Sequence, residues 1–193
     1  MSCLDIVTPF SANSFDVLAK IYESIVDIPI KWNWYIISDH NVNLNFKDVQ
    51  TTFDNTKMYK LPFGVKSGWG KNQVNMYLDM TDDVSTNWVY VLDDDNIIHP
   101  NFYNFDFDRQ EGFVVFEQQL VNGNVRRITT PSETCAVFKI DQAQMIHRRN
   151  FIGDLRYWAH YRGDGYFAME SFYKSNNVGM DKNVRSYYNF LKW

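Results

Sequence analysis

Apolar runs alternate with amphipathic stretches through the front of the chain, and the alternation predicts a strand–helix–strand order. Leu4 to Thr8 is an apolar run ended by Pro9, which predicts a buried first strand. Phe15, Leu18, Ile21, Tyr22 and Ile25 recur at helical spacing, predicting a helix over 15–26 with Ser14 as its cap. Lys31 to Ser38 is aromatic and β-branched and predicts the second strand; Lys57 to Leu61 predicts a short third one. A glycine-punctuated turn over 64–70 leads into a helix over 71–80. Trp88 to Leu92 is the strongest strand signal, and it runs straight into Asp93-Asp94-Asp95.

Behind the triplet the pattern changes. Residues 112–120 and 125–129 flank Asn122-Gly123 and predict a hairpin. Residues 135–140 predict a strand, followed by a helix from Asp141, and 166–173 predict a late helix entered through Gly163-Asp164-Gly165. The expected fold is therefore α/β: a single Rossmann-like domain over 1–193, with a mostly parallel central sheet flanked by helices and a small antiparallel hairpin. Ligands of such sheets gather at the carboxyl ends of the strands, where the triplet stands.

Composition narrows the partners. The 193 residues suffice for one domain with a real core, and 45% of them are apolar. The net charge of -4 comes without any basic run, so nucleic acid is not an expected partner. Two cysteines, Cys3 and Cys135, make neither a disulfide framework nor a zinc site. No apolar run approaches membrane-spanning length, the start is too uncharged for a signal peptide, and Asn-X-Ser/Thr is absent, so a cytoplasmic setting is expected. A neighbouring domain in a longer polypeptide fits the same features.

Three adjacent carboxylates after an apolar strand repel one another, and burial disfavours their charged forms. A hard cation relieves this, because Mg²⁺ and Mn²⁺ prefer oxygen ligands and accept one or two carboxylates plus phosphates. A solvated acidic turn is the bland alternative. The immediate junction with Val89-Tyr90-Val91-Leu92 favours the metal.

At this point the chain resembles the GT-A glycosyltransferases, in which a strand ends in an Asp-X-Asp motif. Val89 to Asn96 is similar to the Asp-Asp-Asp-Asn version of the motif in the glucuronyltransferase branch, and His99-Pro100-Asn101-Phe102 to the processive and viral branches. Ile6 to Phe10 resembles the family's opening strand and nucleotide loop, Trp34 to Asp39 its second strand, and Gly70-Lys71-Asn72 its Gly-X-Arg-Asn helix start, with lysine replacing arginine. The likeness covers residues 1–105; residues 106–193 match loosely. It implies a nucleotide-sugar half over 1–105 and an acceptor half over 106–193. It implies Mn²⁺ or Mg²⁺ as cofactor, a nucleoside-diphosphate sugar, with UDP expected, as donor, and a glycan or glycoprotein as acceptor. By the same resemblance Thr8, Pro9, Phe10 and Asp39 line the nucleoside pocket, and Lys71 and Asn72 face a phosphate or the base. Asp93 and Asp94 contact ribose or uracil, and Asp95, with Asp93, holds the metal. The size of the chain resembles the capsid-glycan transferases of large DNA viruses. The family's late histidine ligand has no counterpart after His160, so water and phosphate are expected to complete the coordination.

Transfer also needs a base for the acceptor hydroxyl. Asp164 is the first candidate, with an N-cap as its structural alternative. Glu170 is the second and Glu117 the third. Arg126, Arg127, Arg148, Arg149 and Arg156 are candidates for a diphosphate, though most are expected at the solvated surface. Trp158, His160 and Tyr161 are candidates for a sugar-stacking wall. The glycines over 64–72 fit neither a phosphate-binding loop nor a dinucleotide fingerprint. Asp93-X-Asp95 with Gly163-Asp164-Gly165 also resembles haloacid-dehalogenase-like phosphatases, whose first aspartate is a nucleophile. That motif normally ends the first core strand, whereas about 90 residues precede it here. A catalytically inactive sugar-nucleotide-binding domain is the remaining alternative.

Overall fold

The structure is a computed structural model that describes residues 3–82, 87–175 and 177–191. Strand β1 (Cys3–Phe10) leads into helix α1 (Phe15–Ile25), and β2 (Lys31–Ser38) into α2 (Phe46–Thr52). Strand β3 (Thr56–Lys60), helix α3 (Lys71–Met80) and strand β4 (Trp88–Val91) complete the front half. There follow β5 (Ile97–Ile98), the hairpin β6 (Phe113–Leu120) and β7 (Val125–Arg126), α4 (Pro131–Thr134) and β8 (Met145–Arg148). Helices α5 (Arg149–Ile152) and α6 (Gly163–Lys174) precede β9 (Val178–Tyr188).

The strands form one sheet in the order β3-β2-β1-β4-β8-β6-β9-β5, with β7 paired to β6. The longest pairings, β1 with β2 and β6 with β9, are parallel, as are β2–β3 and β1–β4. Strand β8 runs antiparallel to both β4 and β6, and so joins the two halves. This is the mixed α/β sheet flanked by helices that the alternation predicts.

Period-two alternation divides the core. Leu4, Ile6 and Phe10 of β1, with Trp88, Tyr90 and Leu92, pack against Leu18, Ile21 and Ile25 of α1. Val7, Val89 and Val91 face the other way, onto Val74, Tyr77 and Leu78 of α3 and Phe167 of α6. Continued past β4, the same alternation sends Asp93 toward α3 and α6 and Asp94 toward the β1–α1 loop. A one-residue register slip would exchange them.

Several sequence expectations fail behind the triplet. The strand expected over 135–140 is absent: α4 ends at Thr134, turns follow, and Phe138 adopts φ 68°, which no strand residue takes. The helix expected from Asp141 is a single 3-10 turn (Gln142–Gln144), after which β8 inserts between β4 and β6. Helix α2 and strands β5 and β9 have no counterpart in the sequence reading. Strand β9 is long but polar; a buried ion pair between Asp181 and Arg185, at 2.6 Å, supports it. Ser14 occupies the cap position of α1 without making a side-chain cap hydrogen bond. No helix among the described residues is long and apolar enough to cross a membrane.

Candidate active site

A cleft of about 460 Å³ opens at the carboxyl ends of β1, β2 and β4. Six aspartates line it, Asp39, Asp93, Asp94, Asp95, Asp141 and Asp164, together with one lysine, Lys71. Pro9, Ser11, Ser67, Trp69, Tyr161, Tyr188 and Asn189 complete much of the wall.

The triplet splits into three roles because its members leave the strand end in different directions. Asp93 is half-buried and accepts a hydrogen bond from the Gln142 side chain. Burial pushes its carboxyl well above the usual range, Lys71 opposes this, and Asp141, Asp164 and Asp95 add to it. Asp94 instead latches the β1–α1 loop. Its Oδ2 accepts from Ser11 N at 2.7 Å, Ser11 Oγ at 3.0 Å and Ala12 N at 3.0 Å. Burial raises its carboxyl and these donors lower it. Asp95 lies on the cleft wall, and its carbonyl accepts from Leu191 N at 3.0 Å. The following Asn96 is fully buried, and its side-chain oxygen accepts from Asn189 N at 2.8 Å. The end of β9 is thereby drawn over the triplet.

Lys71 stands at the first position of α3 and is buried. Gly70 before it adopts φ 81°, and a Cβ there would lie 3.0 Å from Pro9 Cβ, so the helix start needs glycine. The Lys71 ammonium pairs with Asp164 Oδ1 and donates to Gln142 Oε1 at 2.8 Å. Burial pulls the lysine down, but Asp164 and Asp93 outweigh it and hold the ammonium above its ordinary value. Gly163 permits this approach: a Cβ there would meet the Trp158 carbonyl at 2.3 Å and the Lys71 stem at 3.1 Å.

Asp164 lies in the first turn of α6, after the cap residue Arg162, so the structural alternative of an N-cap does not hold. Burial pushes its carboxyl up to about 6; Lys71 lowers it and Asp141 raises it. Asp39 lies across the cleft and accepts from Gln73 Nε2 at 3.1 Å, and burial raises it as well.

Of the sequence-derived candidates, Pro9, Asp39, Lys71, Asp93, Asp94, Asp95 and Asp164 meet in this cleft. Thr8 does not reach it: the side chain is fully buried and accepts from Trp34 Nε1 at 2.9 Å, because alternation turns it into the α1-side core. Phe10 is buried in that same core. Asn72 points away and donates to the Lys66 carbonyl at 2.7 Å, bracing the loop before α3. Glu170 lies on α6 about 9 Å beyond Asp164 along the axis, off the cleft wall. Glu117 is buried against Arg127 at 2.5 Å, and none of the five candidate arginines lines the cleft. Tyr161 does, whereas Trp158 and His160 do not.

Sequence reasoning missed Asp141, Gln142 and Trp69. Asp141 and Gln144 make a capping box, a visible signal of a turn start, but only the insertion of β8 carries that turn to the cleft. Gln142 bridges Asp93 and Lys71 and had no sequence signal.

A metal would find Asp93 and Asp95 on the cleft wall. Among the described residues no three His, Cys, Asp or Glu side chains gather into a preformed cage. An ion held by these two carboxylates would take its other oxygens from phosphate and water, as Mg²⁺ commonly does.

No family model matches the chain, and no curated protein does either. Solved structures share its fold. Residues 1–349 of S. aureus TarS match with a TM-score of 0.71 and 13% identity, over 97% of this chain and 60% of that one. The same protein in complex with UDP-GlcNAc gives 0.71 and 14%, over 97% and 58%. The mannosyltransferase PcManGT from Pyrobaculum calidifontis, in complex with GDP-Man and Mn²⁺, gives 0.64 and 11%, over 95% and 56%. The chain thus spans about 60% or less of the length of these structures.

Proposed function

We propose that this chain transfers a sugar from a nucleoside-diphosphate sugar, with UDP the expected carrier, to a hydroxyl of a glycan or glycoprotein acceptor, assisted by Mn²⁺ or Mg²⁺. One observation carries the reading: six aspartates surround a single lysine in a cleft at the strand carboxyl ends. A diphosphate entering so acidic a cleft meets net repulsion unless a divalent cation accompanies it. The fold supports the same reading, since proteins that share it bind UDP-GlcNAc or GDP-Man.

Asp93 and Asp95 are the residues that would hold the ion, whose chemistry is to neutralise charge on the departing diphosphate. The wall of Pro9, Ser11 and Asp39 suits the nucleoside. Asp164 acts at the acceptor. As the acceptor oxygen bonds to the anomeric carbon, the bond from that carbon to the diphosphate breaks, and the hydroxyl proton passes to Asp164. A carboxyl raised to about 6 is ionised at neutral pH yet basic enough for that task. Lys71 keeps it oriented. The phosphatase alternative draws less support, because its nucleophile would be Asp93, whose carboxylate is engaged by Gln142.

The test is a thermal-shift series with UDP, GDP and their sugars, with and without Mn²⁺. A metal-dependent rise in Tm is expected for one nucleotide and is expected to vanish in Asp95→Ala. No rise with any nucleotide, or an undiminished metal-dependent rise in the variant, would contradict the assignment.

A further inference from the structure

Three large rings stand exposed in and beside the cleft where their burial would be expected. Trp69 is 73% exposed, Phe138 64% and Tyr161 49%. Trp69 and Tyr161 lie on the cleft wall with ring centroids 6.4 Å apart and planes at 66°, and Phe138 lies 5.9 Å from Tyr161 with its plane tilted by 46°. The Arg162 guanidinium packs over Phe138 at 4.4 Å and over Tyr161 at 5.2 Å, and its Nε donates to the Tyr161 hydroxyl at 2.9 Å. Exposing such rings to water is unfavourable, and contiguous exposed apolar surface marks a binding face.

A second observation is independent of exposure. Among the described residues five non-glycines have positive φ: Asn13, Asn55 and Asn189, ordinary for that region, and Trp69 and Phe138, at 62° and 68°. For bulky side chains the left-handed region costs on the order of 1 kcal/mol or more, and glycine would relieve it. Both strained residues belong to this group of rings. Close packing supports each of them. A Cβ on Gly68 would meet Ala159 Cβ at 2.9 Å, so the Trp69 turn lies directly on the segment before Tyr161. A Cβ on Gly165 would meet Val137 Cα at 2.5 Å, so the Phe138 turn lies on the start of α6.

We infer that Trp69, Tyr161 and Phe138 form a stacking platform for a carbohydrate chain, an extended acceptor subsite leading outward from Asp164. The inference rests on the transfer reading for its direction. Sugar rings present apolar C–H faces and polar edges, which matches rings flanked by a guanidinium and a phenol hydroxyl. Three neighbouring rings turned at 66° and 46° to one another offer successive faces, which suits an oligosaccharide of several units better than a single sugar.

The probes are chitohexaose, cellohexaose and maltohexaose, followed by tryptophan fluorescence and calorimetry on the whole chain. At least one hexasaccharide is expected to bind, with a blue shift of tryptophan emission. Trp69→Gly and Phe138→Gly are each expected to weaken that binding by about tenfold or more. Both variants are expected to hold or raise the Tm, since glycine relaxes the backbone, and Phe138→Gly, whose ring is not part of the cleft wall, to leave the UDP–Mn²⁺ thermal shift unchanged. Failure of all three hexasaccharides to bind, binding unchanged in both variants, or a lower Tm in both would overturn the platform. Loss of nucleotide binding in Trp69→Gly would overturn it too, placing that ring on the donor. If the wild-type chain binds a hexasaccharide through these rings but shows no nucleotide-dependent shift, the transfer reading fails and the platform stands.

Discussion

Replacing Lys71 with methionine removes the one cation among the cleft-lining residues and leaves Asp93, Asp141 and Asp164 facing one another. Methionine keeps most of the stem volume, so the packing around Gly163 survives and the loss is mainly electrostatic. The ion pair with Asp164 and the donor to Gln142 are both lost. Removing one partner of a buried pair costs about 3–5 kcal/mol. For a chain of this size each kcal/mol moves Tm by roughly 2–4 °C, so a fall of about 10 °C is expected at pH 8. The pH dependence follows from the raised carboxyls. In the wild type Asp164 is held at about 6, above its ordinary 3.8, so its contribution to stability is full below 3.8 and is lost as pH rises through 6. Without Lys71, which lowers both Asp93 and Asp164, their protonation moves to higher pH. A protonated carboxyl needs no ammonium, so the variant's deficit shrinks as pH falls from 8 toward 6, where only the variant takes up protons, and levels off below it. Urea denaturation of both proteins between pH 5 and 8 reads this directly. A deficit equal at both ends, or below about 1 kcal/mol at pH 8, would refute the network.

Three further outcomes test other parts of the site. Asp94→Ala strips the acceptor from Ser11 and Ala12; with water partly replacing it, the expected loss is about 1–2 kcal/mol, with faster amide exchange at both residues. Unchanged exchange there would remove the latch. Thr8→Val leaves the buried Trp34 indole N–H unpaired, so stability should drop by about 1–3 kcal/mol while the UDP–Mn²⁺ shift stays intact. Lost nucleotide binding would return Thr8 to the pocket. Asp164→Asn should lower turnover by about a hundredfold or more with UDP retention nearly unchanged. Equal turnover in a folded variant would dismiss Asp164 as base.

The front half of the fold was legible because local and global signals agree there. The predicted spans of β2 and α3 coincide with those observed, and parallel pairing on both sides keeps the inner strand β1 largely buried, as is its neighbour β4, so they stand out as apolar runs. Behind the triplet the signals conflict. Met145-Ile146-His147-Arg148 is too short for its periodicity to choose between helix and strand, and only the slot between β4 and β6 makes it β8. Strand β9 carries Asp181, Lys182, Asn183 and Arg185, a polar pattern that spoke against a strand. Pairing with β6 and the Asp181–Arg185 contact override it.

For the cleft the division is similar. An apolar strand opening into three carboxylates marks the place from residues alone, since such charges at a buried strand end demand partners. Which partner each one takes is a matter of direction in space. Alternation aims Asp93 at Lys71 and Asp164, sends Asp94 to the Ser11 loop and turns Thr8 into the core. Lys71 and Asp164 lie far apart in sequence, and so do the rings of Trp69 and Phe138. Local propensity carries no information about such distances, and only the packing of α3 and α6 against the same sheet face brings them together.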